Sequence, residues 1–196
     1  DDYAVESQIQ FHGYDPAAEL IEIEGDEANG AISSAAIERA LEEHGARIAL
    51  VLLPGVQYLT GQVLDLKRIS ELARQKGCVV GFDLAHAVGN VPVNLHDIGC
   101  DFAVWCSYKY LNSGPGAVAG CFAHERHARA ALPRFAGWWG HDQSTRFQMG
   151  PDFASTPGAE GRPPPKQPNY ERATCRGWQE VIHRAGIPRP RQQCRR

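Results

Sequence analysis

Cys78-Val79-Val80-Gly81-Phe82-Asp83-Leu84-Ala85-His86 and, further on, Phe102-Ala103-Val104-Trp105-Cys106-Ser107-Tyr108-Lys109 decide the fold of this chain. Each begins as a short apolar run and ends at a residue able to do chemistry, Asp83 in the first and Lys109 in the second. A continuous apolar run such as Cys78 to Phe82 suits a strand covered on both faces. Ile48 to Leu53, stopped by Pro54-Gly55, is another; Phe102 to Trp105 and Ala117 to Ala123 complete a set of four. Helical patterns lie between them. Residues 32–44 carry Ile37, Ala40 and Leu41 on one face and stop at Gly45. Residues 65–76 put Ile69, Leu72 and Ala73 inward, with Gly77 closing the helix. Residues 3–12 read as a further short helix, and Leu20-Ile21-Glu22-Ile23-Glu24 alternates like a strand. Strands that alternate with helices need crossover connections. The fold class that follows is α/β, a three-layer arrangement with a mostly parallel sheet.

Composition narrows the class of function. The chain has 196 residues, 43% of them apolar, enough to build a core. Its net charge of -3 favours neither nucleic acid nor a membrane surface as partner. No apolar run approaches the roughly 20 residues of a membrane span. The six cysteines, Cys78, Cys100, Cys106, Cys121, Cys175 and Cys194, form no C-x-x-C pair, so zinc is not expected. The first four lie in or beside apolar runs and read as reduced, buried thiols of a cytoplasmic protein. Past residue 150 the composition changes: eight of the thirteen prolines fall there, with many arginines and little apolar periodicity. The chain therefore divides into a unit at 1–150 and a Pro/Arg-rich tail at 151–196. The tail is expected to lack the apolar surface that offsets the entropy of ordering. His124-Glu125-Arg126-His127 lacks the four-residue step between histidines of a zinc peptidase and reads as a solvated face.

Ligands of parallel sheets bind beyond the carboxyl ends of the strands, and Asp83 and Lys109 both stand there. An aspartate after one strand and a lysine after the next is the order of parts expected of a pyridoxal 5'-phosphate (PLP) enzyme. The carboxylate pairs with the pyridinium nitrogen and the lysine forms the Schiff base. Read alone, Asp83 serves equally well as a cap for the turn that follows it. His86, three residues on, would sit beside Asp83 in a helical turn, or would be a structural histidine. Asn112-Ser113-Gly114-Pro115-Gly116 gives the Lys109 loop a glycine-rich partner that permits close backbone approach to a ligand.

The block from Val79 through Phe147 resembles kynureninase. The matching text is Val80-Gly81-Phe82-Asp83-Leu84-Ala85-His86-Ala87-Val88-Gly89-Asn90-Val91, then Asp101-Phe102-Ala103, then Trp105-Cys106-Ser107-Tyr108-Lys109-Tyr110-Leu111-Asn112. It continues in Gly137-Trp138-Trp139-Gly140-His141 and Ser144-Thr145-Arg146-Phe147. Asp1 to Gln8, Gly55-Val56-Gln57-Tyr58 and Thr60-Gly61-Gln62 are similar to the same family, so the resemblance covers about residues 1–150. It implies a large domain of the PLP-dependent transferase type. It implies hydrolysis of kynurenine and 3-hydroxykynurenine to anthranilate or 3-hydroxyanthranilate and alanine, in cytoplasmic tryptophan catabolism toward pyridine nucleotides. It also implies a homodimer with shared active sites. By resemblance Lys109 is the Schiff-base lysine, Asp83 the ring-nitrogen partner, and His86 a cofactor-site residue. Tyr108 contacts the cofactor phosphate and is a candidate proton relay. Trp138 reaches the phosphate of the neighbouring subunit, and Asp1 aligns with a cofactor-site aspartate.

The sequence departs from that pattern in three places. Pro54 stands where some members carry a small hydroxyl residue. Residues 151–196 do not resemble the family's C-terminal domain. The family's phosphate cradle and ring-stacking aromatic belong upstream of Asp1. The isolated chain is accordingly expected to show little or no turnover of kynurenine. Two other readings share the residue plan: a cysteine desulfurase-like enzyme, which needs a reactive exposed cysteine, and a catalytically incompetent fragment of a PLP domain.

Overall fold

The computed structural model describes residues 2–128, 130 and 136–161. The helices are α1 (Asp2–Phe11), α2 (Pro16–Glu19), α3 (Ser34–His44), α4 (Leu66–Gln75) and α5 (Leu95–Ile98). The strands are β1 (Leu50–Pro54), β2 (Val79–Asp83), β3 (Phe102–Trp105) and β4 (Gly120–Ala123). They form one sheet in the order β1-β2-β3-β4; β1, β2 and β3 run parallel, and β4 is antiparallel to β3. This is the α/β, mostly parallel sheet expected from the alternating pattern.

Local chemistry explains where the helices start. The Ser33 side chain accepts from Ala36 N at 3.0 Å at the head of α3, and Asp65 accepts from Arg68 N at 3.0 Å at the head of α4. Each such cap is worth about 1 kcal/mol. The inward faces of α3 and α4, Ile37, Leu41, Ile69 and Ala73, join Val51, Val80, Phe82 and Ala103 in one core. By the alternation of strand side chains, those four strand residues share a face. Phe82, Val80 and Leu84 have no exposed surface, and burying each contributes about 1.5–3 kcal/mol before entropy is counted. The opposite face carries Leu50, Val79 and Val104, which stay 46%, 44% and 43% exposed. Asp83 belongs to that open face.

Three expectations need correction. Leu20–Glu24 forms no strand; only Ile23 leans on the core, and alternation without a neighbouring ladder leaves an irregular segment. The cysteines are not uniformly buried: Cys78 and Cys100 are, Cys106 is half-buried, and Cys121 is exposed on edge strand β4. His124–His127 is no mere solvated face, because Arg126 and His127 grip Asp101. Residues 151–161 pack onto the segment before them: Asp142 N donates to Ala154 O at 2.7 Å, Thr156 N to Gly140 O at 2.9 Å, and His141 bridges Ser155. Residues 162–196 lie outside the described residues.

Candidate active site

The parallel register brings Pro54 of β1 level with Asp83 of β2, and Val104 of β3 lies on the other side of Asp83. The carboxyl ends of three strands therefore share one rim. Gly81 lets this happen, because a Cβ there would stand 2.2 Å from the Phe102 ring lying across it. Past Asp83 the chain turns at once: Ala87 N and Val88 N both donate to Leu84 O, at 2.9 and 3.0 Å. Asp83 Oδ1 accepts from Ala85 N at 2.7 Å, so the aspartate does cap this turn, while Oδ2 has no hydrogen-bond partner among the described residues. The turn presents His86, whose carbonyl is held by Asn90 Nδ2 at 3.0 Å.

Lys109 arrives from the other side. Its loop is pinned by Ser107 Oγ donating to Val118 O at 2.5 Å, by Ser113 N to Ser107 O at 3.1 Å, and by Asn112 N to Lys109 O at 3.1 Å. Asn112 takes the left-handed conformation, φ 50°, that this tight return requires. The loop packs against Gly89, at φ 82°, where a Cβ would meet Tyr110 O at 2.8 Å. The result is a direct contact: Lys109 Nζ lies 2.8 Å from His86 Nε2. Tyr58 and Tyr110 flank the imidazole with ring centroids at 6.2 and 6.1 Å. The Tyr108 ring centre is 5.9 Å from Lys109 Nζ, and about half of the tyrosine is exposed. Burial first, and the Lys109 charge second, hold His86 below the ordinary imidazole range; Asp83 opposes them. His86 thus stands between the Lys109 amine and the Asp83 carboxyl.

Of the residues singled out by sequence, Asp83, His86, Lys109 and Tyr108 come together. Trp138 belongs to a separate patch: its indole Nε1 donates to Arg146 O at 3.2 Å, and its ring meets Trp139 and Phe147. Asp1 lies outside the described residues. Sequence reading assigned no role to Tyr58, Tyr110 or Gly89. Tyr110 was adjacent to the lysine, and Tyr58 follows the carboxyl end of β1, so strand-end position was the available signal for both.

A second charged cluster sits at the opposite end of β2 and β3. Asp101 is buried just before β3. Its Oδ2 accepts from Val80 N at 2.7 Å, and its Oδ1 meets His127 Nε2 at 2.6 Å and Arg126 Nε at 3.1 Å. Arg126 Nη2 also donates to Gly99 O and Cys100 O, at 2.6 and 2.8 Å. The Asp101 carboxylate ties β2, the start of β3 and the segment after β4, and Arg126 adds the end of α5.

A family model described as Aminotransferase class-V matches residues 17–133. The chain belongs to the class-V aminotransferase family. Kynureninase of Stenotrophomonas maltophilia is 60% identical over 188 residues, covering 95% of this chain and 44% of that protein. Kynureninase of a Xanthomonas oryzae pv. oryzae strain is 65% identical over 161 residues, covering 82% of this chain and 38% of that protein. The chain spans less than half the length of these class-V relatives. A match covering 95% of 196 residues necessarily runs beyond residue 150. Among solved structures, a cysteine desulfurase from Thermococcus onnurineus superposes with a TM-score of 0.70 at 20% identity, covering 95% of this chain and 43% of that one. An alanine–glyoxylate aminotransferase from Nostoc gives 0.58 at 24% identity, covering 82% and 41%. At such identities these two speak for the fold alone.

Proposed function

We propose that this chain is the lysine-bearing part of a PLP-dependent hydrolase that cleaves kynurenine and 3-hydroxykynurenine to anthranilate or 3-hydroxyanthranilate plus alanine. The observation that carries the reading is the gathering of Asp83, His86 and Lys109 at the carboxyl ends of β1–β3, in a chain 60% identical to a kynureninase. The residues fit the cofactor on two counts. The Lys109 amine is held by an imidazole rather than locked to a carboxylate. Asp83 keeps one oxygen clear of hydrogen bonds among the described residues.

When bound, PLP supplies an electron sink. Lys109 would hold the cofactor through its amine and would move the proton at the substrate Cα. The Asp83 carboxyl, with one oxygen clear, would pair with the ring nitrogen of the cofactor. The Tyr108 hydroxyl, exposed beside Lys109, hands a proton to the substrate γ-carbonyl as water adds there, so that the Cβ–Cγ bond breaks. His86 faces the lysine. Asp1 is a further cofactor-site residue. Trp138 sits on an exposed aromatic patch apart from its own chain's lysine, which supports a role at the site of a neighbouring subunit in a homodimer. We place the protein in the cytoplasm, in tryptophan catabolism toward NAD biosynthesis. Among the described residues no helix is long and apolar enough to cross a membrane. A desulfurase would use an exposed cysteine. Cys121 is exposed, but the identity to desulfurase structures is only 20% against 60% to a kynureninase.

A hybrid tests this reading. This chain replaces the aligned segment of the Stenotrophomonas kynureninase, and anthranilate fluorescence is followed with kynurenine as substrate. The expected result is anthranilate release that disappears with Lys109→Ala. A folded, PLP-loaded hybrid that releases no anthranilate overturns it.

A further inference from the structure

We propose that His86 is the proton acceptor for Lys109, taking a proton from the lysine ammonium so that the free amine can condense with an aldehyde. This rests on the cofactor role proposed for Lys109 and adds a role for the imidazole. The geometry is direct: Nζ to Nε2 is 2.8 Å, within hydrogen-bond distance. Two nitrogen bases that close make a proton pathway when one is neutral, and the other groups around the ring say which one is.

Asp83 stands at the end of β2, three residues before His86; Tyr58 follows β1; Tyr108, Lys109 and Tyr110 follow β3. The only cation facing the imidazole among these is Lys109, and the only carboxylate is Asp83. Burial first, and the adjacent Lys109 charge second, favour the uncharged imidazole, the form that accepts a proton. Asp83 offsets the charge while the proton rests on the ring. The orientation is fixed as well. Asn90 holds the His86 carbonyl, Tyr58 and Tyr110 flank the ring, and the absence of a side chain at Gly89 leaves room for Tyr110 O to approach.

The step balances. Lys109 NH3+ passes one proton to His86 Nε2 and becomes an amine. The amine nitrogen forms a bond to the aldehyde carbon, and the C–O bond breaks. The imidazolium returns its proton to the departing oxygen, a second proton leaves nitrogen with it, and water is released. The nitrogen is left with one proton and a positive charge, and His86 is neutral again. No oxidant or further reactant is needed. A positioned general base of this kind typically contributes 100-fold or more to a proton-transfer rate.

Two measurements test it. First, the imidazole signals of the chain are titrated by NMR without cofactor, with the His86 signal assigned by its loss in His86→Gln. Lys109→Met removes the neighbouring amine and its charge, so the His86 midpoint should move upward. An unmoved midpoint shows that the two side chains do not share a proton and overturns the proposal. Second, the rate at which the chain forms its imine with PLP is followed by stopped-flow absorbance across pH 5–9. The parent rate should fall as His86 becomes protonated. His86→Gln should be at least tenfold slower at pH 7 and should lose that inflection, with an unchanged circular dichroism spectrum. A His86→Gln chain that forms imine at the parental rate overturns the proton-transfer role and leaves the cofactor role of Lys109 standing. A parent that forms no Lys109-dependent imine overturns both.

Discussion

Asp101→Ala should destabilise the chain far more than the loss of any surface ion pair. The substitution strands three donors at once: Val80 N at 2.7 Å, His127 Nε2 at 2.6 Å and Arg126 Nε at 3.1 Å. Breaking one partner of a fully buried pair costs about 3–5 kcal/mol. Here the Arg126 and His127 side chains are 26% and 31% exposed, so they regain some water, and a figure of about 2–4 kcal/mol follows. For a chain of this size that is a fall of roughly 5–15 °C in Tm. The control is Arg68→Ala, which breaks the exposed Glu38–Arg68 pair at 3.0 Å; such pairs are worth about 0.2–1 kcal/mol. Burial pushes the Asp101 carboxyl up, but His127, the Val80 amide and Arg126 outweigh it and hold the group below the ordinary range. A carboxylate whose folded value is depressed stabilises above its unfolded value of about 3.9 and loses that contribution as pH falls through the folded value. The gap between parent and Asp101→Ala, read by thermal melting, should therefore be full at pH 6 and shrink below pH 4. Asp101→Ala melting no lower than Arg68→Ala, or a gap that widens in acid, would refute the reasoning.

Gly89→Ala should cost about 2–3 kcal/mol in a denaturant melt, from the left-handed strain at φ 82° and the displaced Tyr110 carbonyl, and should lower PLP capture by loosening the Lys109 loop. A Gly89→Ala chain with parental stability would show that the two turns do not touch. In timed thiol labelling with peptide mapping, exposed Cys121 should react within minutes under native conditions. Cys100 should react only on unfolding, because burial pushes its thiol up to about 11 and leaves very little thiolate at pH 8.

Much of this architecture was legible because it rests on periodicity. Val80 and Phe82 read as strand interior and are wholly buried; Ile69 and Ala73 read as a helix face and lie in the same core. Position at strand ends located Asp83 and Lys109. What escaped the sequence were contacts between turns. Nothing in the spacing of His86 and Lys109 fixes a 2.8 Å contact, since it depends on where two loops fold back. The grip of Arg126 and His127 on Asp101 was hidden for the same reason: the partners are about 25 residues apart, and a charged tetrapeptide looks solvated until its neighbour is known. Leu20–Glu24 misled because alternation records half-burial, and only a neighbouring strand turns it into a ladder.

The most direct test of the central claim, that the β1–β3 rim is a PLP site built on Lys109, is to locate the captured cofactor. The chain has four lysines, Lys67, Lys76, Lys109 and Lys166. It is mixed with PLP, reduced with borohydride and mapped by peptide mass spectrometry. The account predicts label on Lys109 at PLP concentrations that leave Lys67 and Lys76 unmodified, and weaker capture after Asp83→Asn. Label spread evenly over the lysines, or concentrated on Lys67 or Lys76, would contradict it.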